Sequence, residues 1–302
     1  MGFIDKALEK AKTVKPTTEE SQIHPVPKVT PVESHSLFTG MEMPVEEIQY
    51  HVTRSVPVKA DWLRRQRIIT EADDDVVKEA FKVLRTHIVQ RTRPANQNVL
   101  MITGPLPGEG KTLTAINLAI SLAQEVDKTV LLVDADLRRP MVHEYFGIPR
   151  GPGLVDYLNG SLPIHELLVH PEGFPKFVIL PGGRPIGEAA ELIGSPMMAE
   201  LVKELKHFYP DRYVLFDVPP LLSYADSLAF APLVDGIILV VEIGKTTRED
   251  IQSCMKMLKE FPLLGSVLNK VDKEHTSCYY CQRPSSNDSP AVQKRFRDWL
   301  GL

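Results

Sequence analysis

Hydrophobic and polar positions along this chain follow two different rhythms. Short apolar runs rich in Val, Ile and Leu occupy residues 99–103, 129–134, 176–180, 213–217, 236–241 and 265–269. Runs that are apolar at every position, rather than at every second one, predict strands covered on both faces, as in a parallel sheet. Between them lie segments with helical spacing, so the alternation predicts an α/β domain with a mostly parallel sheet and helices on both faces. Ahead of the first run, Val76, Val77, Ala80, Phe81, Leu84, Ile88 and Val89 recur at helical spacing. Asp73 and Asp74 precede them and Arg91 and Arg93 follow, the charge order that a helix dipole favours. This helix is expected to open a domain spanning residues 69–272.

The flanks are patterned differently. Phe3, Ile4, Ala7, Leu8, Ala11 and Val14 share one helical face, which predicts an amphipathic N-terminal helix over 1–14, able to dock on a partner or a lipid surface. Residues 15–68 carry Pro16, Pro25, Pro27, Pro31, Pro44 and Pro57 among polar residues and show no sustained period, so they read as an extended linker. Beyond Asp272 the pattern dissolves again, leaving residues 273–302 as a flexible C-terminal tail that contains Tyr279 and Tyr280.

Composition narrows the classes. A chain of 302 residues with 43% hydrophobic content can bury a full-sized core. The net charge of −4 supplies no global field for nucleic acid, so no nucleic-acid partner is expected. Three cysteines, Cys254, Cys278 and Cys281, are too few for a disulfide framework and point to a reducing cytoplasm. The pair Cys278 and Cys281, with His275 upstream, lacks the second half-site of a closed zinc centre. No apolar run approaches the roughly 18–20 residues that span a bilayer, so membrane contact would be peripheral, at the inner face of the cell membrane.

The chemistry gathers after the first apolar run. Residues 99–103 lead into Gly104, Pro105, Leu106, Pro107, Gly108, Glu109, Gly110, Lys111 and Thr112, with a helical pattern following. Strand, glycine-rich loop and helix in this order form a phosphate-binding loop, because backbone N–H groups and a helix N-terminus converge on the anion. The cofactor-binding set is Gly108, Glu109, Gly110, Lys111, Thr112 and Leu113, with Lys111 reaching the β- and γ-phosphates of ATP and Thr112 ligating Mg²⁺. The strict motif places its first glycine at the position held by Pro105, and Gly104 lies one residue early.

Two later runs end in acids. The run 129–134 closes on Asp134, followed by Ala135, Asp136, Leu137 and Arg138. Asp134 and Asp136 could hold Mg²⁺ or orient an attacking hydroxyl. The run 213–217 closes on Asp217 before Val218, Pro219 and Pro220, where the acid would hold Mg²⁺ through water. Catalytic candidates are therefore Lys111, Asp134, Asp136 and Asp217, and the metal set is Thr112, Asp134 and Asp217.

Taken together, these three motifs resemble the bacterial tyrosine autokinases of capsule and exopolysaccharide biosynthesis. The likeness extends over about residues 70–272 and includes Gly153 through Gly160, Leu180 through Gly183, Glu191 through Pro196, Ala225-Asp226 and Leu233 through Gly236. The resemblance implies autophosphorylation between subunits of a homo-oligomer, with Asp134 assisting removal of the tyrosine proton and Tyr279 and Tyr280 as acceptors. It also implies an oligomerisation helix, on which Glu79, Lys82 and Arg85 fall; Lys82 replaces the usual arginine and cannot make its planar bidentate contact. Kinases of this type without a spanning segment pair with a membrane polysaccharide co-polymerase as activator. The N-terminal helix and linker resemble the leader of the exosortase-associated subgroup.

Two other readings use the same fold. A partitioning-type switch ATPase would carry an extra lysine where this chain has Leu106. A nucleotide-gated scaffold for the membrane co-polymerase would bind ATP without modifying tyrosine.

Overall fold

A computed structural model of the chain describes residues 53–70, 75–208 and 211–271. The predicted N-terminal helix, most of the linker, and the tail with Tyr279, Tyr280 and both tail cysteines lie outside the described residues. Everything described belongs to one compact unit.

The chain enters through β1 (Arg54–Val56) and α1 (Ala60–Arg65), then α2 (Asp75–Thr92), β2 (Val99–Thr103) and α3 (Lys111–Ala123). It continues through β3 (Thr129–Asp134), α4 (Val142–Tyr145), α5 (Leu154–Leu158), β4 (Val169–Pro171) and β5 (Phe177–Leu180). Next come α6 (Pro196–Phe208), β6 (Arg212–Asp217), α7 (Asp226–Phe230), β7 (Gly236–Glu242), α8 (Arg248–Met257) and β8 (Leu263–Asn269). The strands form one sheet in the order β1-β4-β5-β3-β6-β2-β7-β8. All neighbours run parallel except β4 and β5.

Each central strand divides its side chains between two cores. Val99, Met101, Leu131, Val133, Val214 and Phe216 face one core, which also holds residues of α6 and α8. Leu100, Ile102, Val130, Leu132, Tyr213 and Leu215 face the other, which is built mainly on α3. Strands covered on both faces have no polar side, which explains why the runs read as continuous rather than alternating. Helix α3 is almost wholly buried because α2 covers its outer face, with Arg85 Nη1 donating to the Ser121 carbonyl at 2.9 Å.

The six strands expected from apolar runs are all present. The sheet also has two the pattern did not predict, β1 and β4, at its far edge. Residues 54–68, assigned to the linker on proline content, carry β1 and α1, and they bury Leu63 and Ile68 against Val142, Phe146 and Ile148. The linker boundary therefore moves to before residue 54: Pro57 sits between the two elements, where its missing N–H breaks neither ladder nor helix.

Candidate active site

The phosphate loop joins β2 to α3 at the carboxyl edge of the sheet, where ligands bind in open α/β folds. Gly110 caps α3 at φ 88° and Gly108 turns at φ 80°, backbone values that a side chain disfavours. Gly104, out of step with the strict motif, has a separate task. A Cβ there would collide with the Val240 carbonyl and lie 2.6 Å from Glu109 Oε2, so only glycine lets the loop lie against β7.

Lys111 begins α3 and is 7% exposed. Its Nζ donates to the Leu106 carbonyl at 2.8 Å. Burial lowers the pKa of its ammonium, while Asp217, Glu109 and Asp136 pull it back up. Next to it, Thr112 Oγ1 donates to Asp217 Oδ2 at 2.6 Å.

Asp134 and Asp217 terminate neighbouring strands and face each other in register. Both are buried, at 0% and 2% exposure. Val142 N–H, the start of α4, donates to Asp134 Oδ2 at 2.9 Å. Burial first, and then the charge of Asp217, push the Asp134 carboxyl well above its ordinary range. Burial also raises Asp217 to about 7, against the opposing pull of the Thr112 hydrogen bond. Asp136 is raised by burial too, while its Oδ1 accepts from Arg139 N–H at 3.0 Å.

Asp134 Oδ1 and Asp217 Oδ1 are buried and have no hydrogen-bond partner among the described residues. Two inward-facing carboxylate oxygens beside a threonine hydroxyl are hard donors of the kind Mg²⁺ takes, usually one or two carboxylates with water and phosphate completing its shell. The residues therefore fit the expected ion.

Residues around the site make contacts of their own. The Glu109 side chain is buried and turned into the protein: Oε2 accepts from Leu106 N–H at 2.8 Å and Oε1 from Thr246 Oγ1 at 2.5 Å. Only its backbone remains to meet a phosphate. Arg138 grips the buried Asp226 through Nε at 2.8 Å and Nη2 at 3.0 Å, a bidentate pair. On α2, Glu79 pairs with Lys82 at 3.1 Å on the surface. Arg85 instead turns inward, with an ion pair to Glu125 at 2.8 Å that lacks hydrogen-bond alignment.

No motif marks the loop's outer brace. Lys245 Nζ donates to the Pro107 carbonyl at 2.7 Å, Lys270 Nζ to that of Gly108 at 2.8 Å, and Asn269 Nδ2 to that of Glu109 at 2.8 Å. Asn269 ends β8, and Lys245 and Lys270 lie just past β7 and β8, so position at the carboxyl ends of strands was the available signal.

The chain is similar to known proteins. Residues 100–280 match the CobQ/CobB/MinD/ParA nucleotide binding domain. The tyrosine-protein kinase YwqD of Bacillus subtilis is 34% identical over 222 residues, covering 72% of this chain and 92% of YwqD. This chain belongs to the bacterial tyrosine-kinase family. The kinase domain of Escherichia coli tyrosine kinase ETK superposes with a TM-score of 0.61 at 28% identity, covering 83% of this chain and 99% of that domain. The VpsO kinase domain gives 0.59 at 31% identity, covering 67% and 100%. Other family members are much longer: the chain spans 26% and 32% of two EpsB kinases of Ralstonia, and 30% of an Acinetobacter johnsonii kinase. Among the described residues, no helix of this family member is long and apolar enough to cross a membrane.

Proposed function

We propose that this protein is a cytoplasmic, ATP-dependent protein-tyrosine autokinase of extracellular polysaccharide production, which phosphorylates Tyr279 and Tyr280 of a neighbouring subunit. The observation that carries the reading is the pair of buried, facing carboxylates, Asp134 and Asp217, beside the phosphate loop. Asp134, with its carboxyl raised by burial and by the charge of Asp217 and with one oxygen unpartnered among the described residues, stands beside the metal acid as the group that can take the phenolic proton.

Phosphoryl transfer depends mainly on positioning and charge neutralisation. Gly108, Gly110 and Lys111 hold the phosphates, with Lys111 leaving the Leu106 carbonyl to do so. Thr112, Asp217 and Asp134 would hold Mg²⁺, which would supply positive charge to neutralise the phosphate oxygens. The acceptor phenol oxygen bonds to the γ-phosphorus, the bond to the β–γ bridging oxygen breaks, ADP leaves, and the phenolic proton passes to Asp134. Glu79, Lys82 and Arg85 are proposed to lie in the subunit contact, and a membrane polysaccharide co-polymerase is the proposed activator.

Mass-spectrometric mapping after incubation with Mg²⁺-ATP tests this, alongside Lys111→Met and the double variant Tyr279→Phe/Tyr280→Phe. Phosphotyrosine at 279 or 280 that vanishes in Lys111→Met is expected. ATP hydrolysis without phosphotyrosine, even with a membrane activator present, would favour the switch ATPase.

A further inference from the structure

Tyr224 lies in the loop that follows β6, and that loop is tied to the phosphate loop. Leu221 N–H donates to the Gly104 carbonyl at 2.8 Å and Leu222 N–H to that of Pro105 at 3.2 Å. Tyr224 is 37% exposed. It rests on the Arg138 guanidinium, which lies 4.7 Å from the ring centroid. That guanidinium cannot swing, because two of its nitrogens grip Asp226 and Nη1 donates to the Gly187 carbonyl at 2.7 Å. Arg138 stands two residues after Asp136, whose carboxyl senses both Lys111 and Asp226. An open aromatic ring is thus fixed on a rigid base at the rim of the phosphate site.

We infer that Tyr224 is the seat of the acceptor tyrosine, whose ring packs against it while its hydroxyl enters towards Asp134. The inference rests on the kinase reading and adds the surface that recognises the acceptor. Beside two buried acids, a neutral aromatic contact can hold a phenol without bringing another charge to the mouth. Aromatic pairs favour offset or edge-to-face packing, which fixes direction as well as contact. The Arg138–Asp226 pair needs no aromatic cover for its own bonds, so the fixed ring is free to serve the substrate.

The test uses the full chain carrying Tyr279→Phe/Tyr280→Phe, so that transfer is read only on an added peptide of residues 274–286. In that background, Tyr224→Leu is expected to raise the peptide KM by about 3–10-fold, the worth of one aromatic pair, with kcat changed by less than about twofold. Tyr224→Phe keeps the ring and is expected to restore the KM. An unchanged KM in Tyr224→Leu overturns the inference, as does a loss confined to kcat or phosphate found on Tyr224 itself. Absence of peptide phosphorylation with Tyr224 intact would instead remove the kinase reading on which the inference stands.

Discussion

Thr112 Oγ1 donates to Asp217 Oδ2 at 2.6 Å, which ties the first residue after the phosphate-loop lysine to the end of the strand beside β2. The other Asp217 oxygen is buried without a hydrogen-bond partner among the described residues. One carboxylate therefore links the loop to the place where a metal would sit.

The first prediction concerns Asp217 and pH. Its carboxyl titrates near 3.8 in the unfolded chain and at about 7 in the folded one, raised by burial. The folded state holds the proton across that window, so this contribution to stability is complete below about 4 and is lost as pH rises to about 7. Asp134 is shifted the same way and deepens the loss. Without metal or nucleotide, Asp217→Asn is expected to be more stable than the wild type at pH 8, by up to roughly 4 kcal/mol, to melt at a higher temperature, and to show a flatter profile from pH 4 to 7. Thermal melts across that range check it; parallel profiles would rule it out.

Magnesium should reverse that penalty. Wild-type protein with Mg²⁺ and ADP at pH 8 is expected to gain several degrees in melting temperature, since a ligand at about 100 times its Kd adds about 2.7 kcal/mol. Asp217→Asn should lose most of the magnesium-dependent part while keeping some response to nucleotide alone. Equal magnesium gains in the two proteins would remove Asp217 from the metal set.

Lys111→Met is expected to lower phosphoryl transfer by about 10²–10³-fold, the usual cost of one preorganised charge contact. Because Lys111 is buried and its pKa already lowered, methionine should leave the fold as stable or more so. Turnover and thermal stability measured on the same sample separate the two effects. A fall in both would mean the lysine is structural.

Most of the sheet was legible because its central strands are covered on both faces and read as unbroken apolar runs. β1 and β4 were not legible: Arg54-Ser55-Val56 and Val169-His170-Pro171 are three residues each, polar or proline-containing, and pair only at the sheet edge. The phosphate loop and the strand-end acids were readable as local motifs. The brace was not: Lys245, Asn269 and Lys270, with Thr246, meet Pro107, Gly108 and Glu109 across more than a hundred residues of sequence, and only their place at strand ends marks them. Arg85 is placed in a subunit contact only by the family resemblance, and no pattern in the sequence marks its bonds to the Ser121 carbonyl and to Glu125, which come from the packing of α2 on α3.

That hidden brace yields a prediction of its own. Glu109 is fully buried and its two oxygens hold the loop at Leu106 and the β7 end at Thr246. Glu109→Ala would leave the Leu106 N–H without its acceptor, at a cost of about 1–3 kcal/mol, and would free the loop to move. Nucleotide affinity should fall. Thr246→Val removes one of these bonds and should reproduce a smaller part of the loss. Isothermal titration with ADP checks both, and unchanged affinity in Glu109→Ala would show that the loop holds its shape without the latch.

The segment before the expected domain boundary carries the last prediction. Trp62 Nε1 donates to the Glu144 carbonyl at 3.1 Å, and its indole lies over Gly147, which turns at φ 69°. Leu63 and Ile68 pack in the same core as Val142 and Phe146. On the opposite side, Asn117 of α3 accepts from Ile69 N–H at 2.9 Å and donates to the Arg67 carbonyl at 3.0 Å. Residues 60–69 thus strap the phosphate-loop helix to α4, whose first N–H holds Asp134. Trp62→Ala removes a half-buried ring and one hydrogen bond, so it should cost about 2 kcal/mol, less than a fully buried tryptophan. Trp62→Phe keeps most of the ring and should cost about 1 kcal/mol. If the strap steadies α4, hydrogen exchange at the Val142 amide should speed up more in Trp62→Ala than exchange in β7 does. A uniform increase at both places would mean that Trp62 contributes only to global stability and has no particular hold on Asp134.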